Sequence, residues 1–514
     1  MAESSPLLGT SLTTSVLLAL LLLSGLALLY SAIYRLYLSP LAKFPGPRLA
    51  ALSSAYTFYY DVVKRGKLPW KLKRLHEQYG PIIRITPWEL HVIDPDFYDV
   101  LYAGSNEKRD KDVMALSGFG LSRSVIATAG HDLHRMRRAA LNPFFSKQAV
   151  NRLEARTIRA KIDRLCERLR QHSETGEPVN LEHAFVAMTT DIMTEFCFNQ
   201  CYDYLGKPDF APEYSKLLIT TAESSNLFRY CPFVIEWLMA APPWFVEKLD
   251  PSLAPVLTMK SDQLARIELV KQSLSRGEKE PKNRTIFHDL IESEELPPAE
   301  RTTQHLVQAG QILVVAGSVT TVHFLKSILY FIVANPSILE RLNTELVQAI
   351  PDAHHIPPTH VLAQLPYLTA VIKECSRLCD GASSRLARIA PDRDLHFQQW
   401  SIPRGTSISM STWLQHHNPD VFPDPDTFDP QRWLGDRKLD KYLVNFSRGA
   451  RGCLGINLAR SEMYLTTATL IRRFDFELFE TGRSDVDMAH DFFVPYSSVD
   501  SKGVRTLIRR SVPV

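Results

Sequence analysis

The ten residues from Phe446 to Gly455 read FSRGARGCLG and place one cysteine, Cys453, among three glycines and two arginines. Glycine permits left-handed turns and a close approach of backbone to a flat cofactor, and nearby cations favour the thiolate form of cysteine. The residues that follow Gly455 can begin a helix whose positive N-terminal end points at that sulfur. The pattern therefore predicts that Cys453 is a cofactor ligand rather than an ordinary buried thiol.

Two motifs upstream carry charged residues at fixed spacing. Glu374 and Arg377 stand three residues apart in a helix-like run, and Arg432 follows in the segment FDPQRW, which spans residues 428 to 433. Taken alone, a pair at this spacing is normally a weak, solvated contact on a helix surface.

These motifs together resemble the cytochrome P-450 superfamily, whose haem-binding loop reads Phe-x-x-Gly-x-Arg-x-Cys-x-Gly. Each fixed position of that loop is present in this sequence. The resemblance implies haem b as the cofactor and Cys453 as its iron ligand. It also implies haem contacts from Phe446, Arg451 and Gly455.

The same resemblance gives the two upstream motifs a structural role. It implies that Glu374, Arg377 and Arg432 form one buried triad instead of separate surface charges.

The segment from His134 to Arg138 resembles the family's C helix, in which a Trp-x-x-x-Arg pattern reaches the haem propionates. His134 stands at the tryptophan position. We predict that Arg138, Arg388 and Arg451 bind the propionates, because a guanidinium matches a carboxylate with two parallel hydrogen bonds. His134 suits a further propionate hydrogen bond.

A long run from Thr302 to Ala334 is apolar on every side, which predicts a helix buried through the middle of the protein. The resemblance places the proton-delivery residues in this helix, at Gly317, Thr320 and Thr321. Val319 stands where family members carry an acid. Because valine cannot carry a proton, we expect Thr320 to bear more of that task.

Positions that match the family's substrate contacts predict a mostly apolar pocket for a lipophilic substrate such as a terpenoid or polyketide. For each of these residues, a place in the ordinary core is an equal alternative. They are Phe119, Val315, Ala316, Val319, Ser383, Ser384, Phe492 and Phe493.

The N-terminal segment from Ser4 through Tyr34 contains no Asp, Glu, Lys or Arg. About 20 such apolar residues cross a bilayer as a helix. A cleaved signal peptide would have a basic start, whereas here Glu3 precedes the run and Arg35, Lys43 and Arg48 follow it. By the positive-inside rule the rest of the chain stays in the cytosol. We expect a single-pass protein of the endoplasmic reticulum membrane.

The remaining chain predicts a mainly α fold with a small β part, and the resemblance makes this the cytochrome P-450 fold. Strands are expected in a hairpin from Pro81 to Ile93, near Thr406 to Met410 and from Arg505 to Ile508. The predicted organisation is a membrane anchor (1–34), a proline-rich hinge (35–50) and one haem-binding catalytic domain (51–514). A net charge of +3, from 59 basic and 56 acidic residues, provides no basic face for nucleic acid.

The resemblance implies a haem-thiolate monooxygenase that uses O2 and NADPH-derived electrons to hydroxylate or epoxidise a lipophilic secondary metabolite. The stretch from Tyr34 to Leu52 is similar to fungal members of this kind, including trichodiene oxygenase. No Gly-x-Gly-x-x-Gly follows a strand, so a separate NADPH-cytochrome reductase is the expected electron donor. Two alternatives stay open: a haem-thiolate isomerase or dehydratase that needs no external electrons, and a non-catalytic haem- or lipid-binding membrane protein.

Overall fold

The structure is a computed structural model that describes residues 7–118, 120–249, 254–276, 284–435 and 439–511. Helices predominate and the strands are few and short, which confirms the predicted fold class. In chain order the described helices, α1 to α21, are Leu7–Ile33, Arg48–Leu52, Ala55–Phe58, Leu68–Tyr79, Tyr98–Leu101, Val113–Ser117, His131–Leu141, Lys147–Leu153, Arg159–Thr175, Leu181–Phe198, Pro212–Tyr230, Pro232–Ala240, Pro243–Leu249, Ala254–Ser275, Ile286–Glu292, Thr303–Val333, Pro336–Ala349, Thr359–Leu362, Pro366–Leu378, Thr412–His416 and Ile456–Arg473. The described strands, β1 to β12, are Ile82–Arg84, Glu89–Val92, Asp110–Lys111, Val179–Asn180, Arg388–Ile389, Leu395–Phe397, Trp400–Ile402, Ser407–Ser409, Phe474–Leu478, His490–Phe492, Val494–Tyr496 and Arg505–Ser511.

The N-terminal helix α1 extends into a π-helical turn that ends at Leu38, four residues beyond the predicted end of the anchor. From Thr13 to Leu38 the chain is long and apolar enough to cross a membrane, and the most apolar part of this stretch is not buried against the rest of the protein. An apolar helix exposed on all sides is the form that a bilayer accepts. The helix is therefore compatible with a membrane anchor.

The proline-rich segment after α1 packs onto the domain that follows. Phe44 is buried, and its ring stacks on Trp400 with the two centroids 4.9 Å apart. Gly46 has a φ of +153° and lies so close to the Arg84 carbonyl oxygen that a Cβ would stand 2.4 Å from it. A glycine is required at that position, and the segment is held against the domain rather than swinging freely.

The largest sheet joins distant parts of the chain in the order β1-β2-β8-β5-β3. Its first two strands form the predicted antiparallel hairpin, with Ile82 opposite Val92. At its other edge β3 pairs with β5, so that Lys111 stands directly opposite Arg388. The sheet thereby brings together two cations that are far apart in sequence.

The long helix α16 runs through the core, where it packs against α10 and α21. Most of its residues from Leu306 to Ile332 are buried, as expected for a helix that is apolar on every side. Helix α21 begins at Ile456, directly after the Cys453 loop. Together α16 and the Cys453 loop bound the cavity described next.

Candidate active site

A large cavity lies between α16 and the Cys453 loop. Its volume is about 280 Å³, counted as the space open to the centre of a water-sized sphere. Most of the wall is apolar, and the apolar side chains include Val125, Ile126, Phe145, Met193, Ile312, Leu313, Ala316, Phe324, Leu386, Val444, Leu458 and Phe493. The cavity is therefore a mostly apolar space beside Cys453.

Cys453 is exposed to this cavity, although protein atoms surround it on its other sides. Its N–H donates to the Phe446 carbonyl oxygen at 2.8 Å, which fixes the loop. Gly449, with φ +70°, makes the loop possible, because a Cβ there would stand 2.0 Å from the Ala103 carbonyl oxygen. Burial raises the pKa of the Cys453 thiol, while the Gly455 N–H and the Arg138 guanidinium act in the opposite direction. A bound metal cation would then be the group that favours the thiolate.

The sequence suggests that the two arginines of the loop favour the thiolate form of Cys453, but both guanidinium groups are bound to other partners. Arg448 pairs with Asp99 at 2.7 Å, and Arg451 donates to the backbone carbonyl oxygens of Thr128 and Ala129 at 2.6 and 2.5 Å. The cation that acts on the sulfur comes instead from α7, through Arg138.

Four cations line one part of the cavity: Lys111, Arg138, Arg388 and Arg451. Burial lowers the pKa of Lys111 well below its usual range, and the charges of the three arginines add to this effect. His134 lies among them, and burial together with the same charges lowers its pKa to about 2, so it is neutral. The cluster combines the predicted propionate residues with one that sequence reasoning missed. Lys111 carries no motif and joins the cluster only through the pairing of β3 with β5.

The acidic side chain on the cavity wall is Glu462 of α21. Within the described residues neither of its carboxyl oxygens has a hydrogen-bond partner of good geometry, although the Thr321 hydroxyl lies close by. Burial raises the pKa of Glu462 to about 8, so its neutral form predominates at pH 7. The four cations therefore lack a counter-charge on the wall, and two propionates of a haem would supply one. The residues present fit a haem.

The predicted proton-delivery residues Gly317, Thr320 and Thr321 all line the cavity. The Thr320 hydroxyl donates to the Ala316 carbonyl oxygen at 2.9 Å. A Cβ on Gly317 would stand 2.5 Å from the Met193 sulfur, so this glycine lets the Met193 side chain pack against α16.

Val319 lies on a different, smaller cavity and is not among the described residues that line the Cys453 cavity. That second cavity also contains His323 and the Lys326–Glu182 ion pair, in which the Lys326 Nζ lies 2.9 Å from the Glu182 carboxylate. Successive residues of an α-helix point about 100° apart, so Val319 and Thr320 face different sides.

Only some of the predicted substrate residues line the Cys453 cavity. Ala316 and Phe493 line the cavity, whereas Val315, Phe492, Ser383 and Ser384 are not among its described lining residues.

Phe119 lies outside the described residues. For each of the other four residues, a local contact explains why the side chain does not line the cavity. Both serine hydroxyls are used by a buried carboxylate, because Ser383 and Ser384 donate to Asp491 Oδ1 at 2.8 and 2.7 Å. Phe492 alternates with Phe493 across a strand end and stacks on His490 with the ring centroids 5.3 Å apart. Val315 packs against the core.

Glu374, Arg377 and Arg432 lie together, as the sequence predicts. Glu374 Oε1 accepts from Arg377 Nη2 at 2.8 Å and from Arg432 Nε at 2.9 Å, while Oε2 accepts from Arg377 Nε at 3.0 Å. The Trp433 indole N–H adds a fourth bond at 2.8 Å, and the Asp429 backbone N–H adds a fifth at 3.0 Å. The carboxylate is buried and fully paired.

Two further arginines on the cavity wall, Arg229 and Arg385, were not predicted. Arg385 forms ion pairs at 3.1 Å with both Asp61 and Glu89. Arg229, Arg385, Asp61 and Glu89 come from four separate segments and match no motif, so no sequence pattern marks them.

Comparison with known proteins gives matches over nearly the whole chain. The family model described as cytochrome P-450 matches residues 54–499. The cytochrome P-450 monooxygenase MO6277 of Ascocoryne sarcoides is 43% identical over 96% of this chain and 99% of its own length. The tryptophan 6-hydroxylase fscE of Fusarium equiseti is 40% identical over 93% and 94%. The cytochrome P-450 monooxygenase TRI4 of Trichoderma arundinaceum is 36% identical over 90% of each chain.

Proposed function

This chain belongs to the cytochrome P-450 family and is a haem-dependent monooxygenase of secondary metabolism, and from that membership we propose that it hydroxylates or epoxidises a lipophilic small molecule inside the Cys453 cavity. One observation carries the proposal: the Cys453 sulfur and the Thr320 hydroxyl open onto the same mostly apolar cavity. A thiol suited to hold iron and a hydroxyl suited to handle protons are thereby brought to one substrate-sized space.

Cys453 is the proposed iron ligand, and Lys111, Arg138, Arg388 and Arg451 are the proposed propionate partners. When bound, the haem supplies the activation of O2, which a thiolate ligand favours. The cations position that group by charge and by hydrogen bonds, since a guanidinium binds a carboxylate through two donors. Neutral His134 contributes a hydrogen bond instead of a charge.

Thr320 is the proposed proton-handling residue. Its hydroxyl can donate and accept at once, so it can hold a water molecule in the cavity and pass a proton along it. The group is poised on the wall by its bond to the Ala316 carbonyl oxygen. Val319 takes no part in this proposal, because it faces the smaller cavity.

The proposed substrate has a lipophilic body, such as a terpenoid, a polyketide or an aromatic metabolite. The apolar wall supports this class, since apolar surface buried in a pocket is the main source of affinity for small molecules. The printed names of the relatives include a tryptophan 6-hydroxylase, which supports adding the aromatic class.

The proposed organisation keeps an anchor (1–34), a hinge (35–50) and a catalytic domain (51–514). The exposed apolar helix α1 and the basic residues Arg35, Lys43 and Arg48 after it support a single pass through the endoplasmic reticulum membrane with the domain in the cytosol. Exposed Phe233, Trp237 and Trp244 on α12 and α13 support a second contact with the lipid surface. Electrons are proposed to come from NADPH through a membrane-bound cytochrome reductase.

The test is an assay of microsomes that contain this protein and a reductase, incubated with candidate metabolites under ¹⁸O2. The proposal expects a product that carries ¹⁸O and forms only with NADPH. Product formed without NADPH would identify an isomerase or dehydratase. Haem-loaded protein that consumes no O2 with any candidate would favour a binding protein. Cys453→Ser in the same membranes is the matched control.

A further inference from the structure

Arg229, in the last turn of α11, combines a buried position with unused hydrogen-bonding groups. The residue is 7% exposed and lines the Cys453 cavity. Across the described parts of the chain its guanidinium donates no hydrogen bond, and its nearest anion is Asp61 Oδ2, 3.7 Å from Nη1. A buried guanidinium normally has its donors paired. The unpaired N–H groups of Arg229 can therefore bind a ligand in the cavity.

The nearby carboxylate is committed elsewhere. Asp61 Oδ2 accepts a hydrogen bond from the Tyr230 hydroxyl at 2.6 Å and another from Arg385 Nη1 at 3.1 Å. Arg385 also donates to Glu89 at 3.1 Å, so its guanidinium is held by two acids. In this group Arg385 donates hydrogen bonds to two acids, whereas Arg229 has one ion pair at 3.7 Å and donates no hydrogen bond within the described residues.

The other two acids of the group compensate Arg229 poorly. Glu89 Oε1 already accepts hydrogen bonds from Arg385 Nε at 3.1 Å and from the Ser409 hydroxyl at 2.7 Å. Asp491 already accepts bonds from Ser383 and Ser384. Within the described residues Arg229 therefore donates no hydrogen bond to any of these acids, and its donors are open to a ligand in the cavity.

Arg229 also lies apart from the cations assigned to the haem propionates. The charges of Arg138, Arg388 and Arg451 affect the pKa of Lys111, and those of Arg138 and Arg388 affect the pKa of Arg451. The charge of Arg229 instead affects the pKa values of Glu89, Asp491 and Tyr230. The cavity wall thus has two separate groups of cations, and the proposed haem contacts use the first group.

We propose that Arg229 binds a carboxylate of the substrate, so that the substrates of this enzyme are acids with an apolar body. This inference rests on the proposed function, which it deepens by naming the substrate class. The apolar wall accommodates the body, and the guanidinium binds the carboxylate through two hydrogen bonds. An anchored carboxylate fixes which carbon of the substrate faces the reacting centre.

The test measures binding and not turnover, with haem-loaded, full-length protein in detergent. Three acids are compared with their neutral amides by equilibrium dialysis: N-acetyl-L-tryptophan with N-acetyl-L-tryptophanamide, 1-naphthaleneacetic acid with 1-naphthaleneacetamide, and dodecanoic acid with dodecanamide. For at least one pair the acid is expected to bind about 30-fold more tightly than its amide, as charge-assisted bidentate pairing predicts.

Arg229→Met should reduce that preference to less than about 3-fold, because it removes the charge and keeps an apolar stem of similar length. Asp61 keeps its bonds from Arg385 and Tyr230 in this variant, so the fold is retained. Arg229→Lys should keep part of the preference, and Arg135→Met, at an exposed position of α7, should leave it unchanged.

Equal binding of acid and amide in all three pairs would overturn the proposal, with no variant needed. A preference that persists in Arg229→Met would overturn it as well. Since neither result depends on NADPH, O2 or product, failure of this inference is distinct from failure of the monooxygenase assay.

Discussion

Glu374 and Arg377 form a two-bond ion pair with both side chains fully buried, with nitrogen to oxygen distances of 2.8 and 3.0 Å. Arg432 adds a third contact to the same carboxylate. A buried ion pair costs much desolvation to form, but breaking it leaves an unpaired charge in the interior. Removing one partner of this pair is therefore expected to destabilise the fold, because the other charge would stay buried without a partner.

Glu374→Ala is expected to destabilise the protein by about 3–5 kcal/mol, since it strands two buried guanidinium groups. Little haem-loaded protein should be recovered. The measurement is the haem content per milligram of protein, compared with Glu340→Ala, which removes an exposed glutamate from α17. Equal haem content in both variants would show that the triad is dispensable.

Thr320→Ala is expected to uncouple the enzyme, so that NADPH and O2 are consumed while hydrogen peroxide replaces most of the oxidised product. The methyl group cannot hold a water or pass a proton, whereas Thr320→Ser keeps the hydroxyl and should keep most of the coupling. Product, peroxide and NADPH consumption are measured together. Full coupling in Thr320→Ala would remove Thr320 from the proton path.

Val319→Asp is expected to leave coupling unchanged, because the structure turns this position toward Lys326 and Glu182 and away from the Cys453 cavity. The same three quantities are measured as for Thr320→Ala. A clear rise in coupling would mean that the introduced carboxylate reaches the reacting centre, contrary to the described geometry.

Glu462 should make stability depend on pH. Its pKa of about 8 in the folded protein is above the ordinary value of 4.5, so between these values the folded state binds more protons than the unfolded state. The contribution of Glu462 to the free energy of unfolding is then greatest at low pH. It falls as pH rises toward 8, by up to about 1.4 kcal/mol per pH unit.

Glu462→Gln lacks this titration, so the variant should gain stability relative to wild type as pH rises from 5 to 8. The measurement is the thermal midpoint of both haem-loaded proteins at several pH values. A difference that does not change with pH would contradict a strongly raised pKa.

Removal of residues 1–34 is expected to leave haem binding intact and to weaken membrane attachment. The most apolar part of α1 makes no buried contact with the described domain, whereas the segment after it packs through Phe44 on Trp400. Haem content and the fraction extracted from membranes by carbonate are measured. A truncated protein that cannot load haem would place the helix within the fold.

The sequence located the cysteine loop and the central helix because each depends on residues close together or on a long apolar pattern. The triad followed from the family resemblance, since Arg432 stands 58 residues from Glu374. It missed Lys111, Arg229 and Glu462 because lone charged residues look the same in a sequence whether they are buried or solvated. Their placement depends on strand pairing and helix packing between distant segments. Ser383 and Ser384 show the same limit, since their hydroxyls turn to Asp491, which lies over a hundred residues away.

The central claim is that Cys453 holds the haem iron as a thiolate, and the spectrum of the reduced carbon monoxide complex tests it most directly. Wild-type protein should give the red-shifted Soret band that thiolate ligation produces, and Cys453→Ser should lose it. Cys375→Ser, which alters a buried thiol of α19, should retain the band. A red-shifted band that persists in Cys453→Ser would contradict the assignment of the ligand.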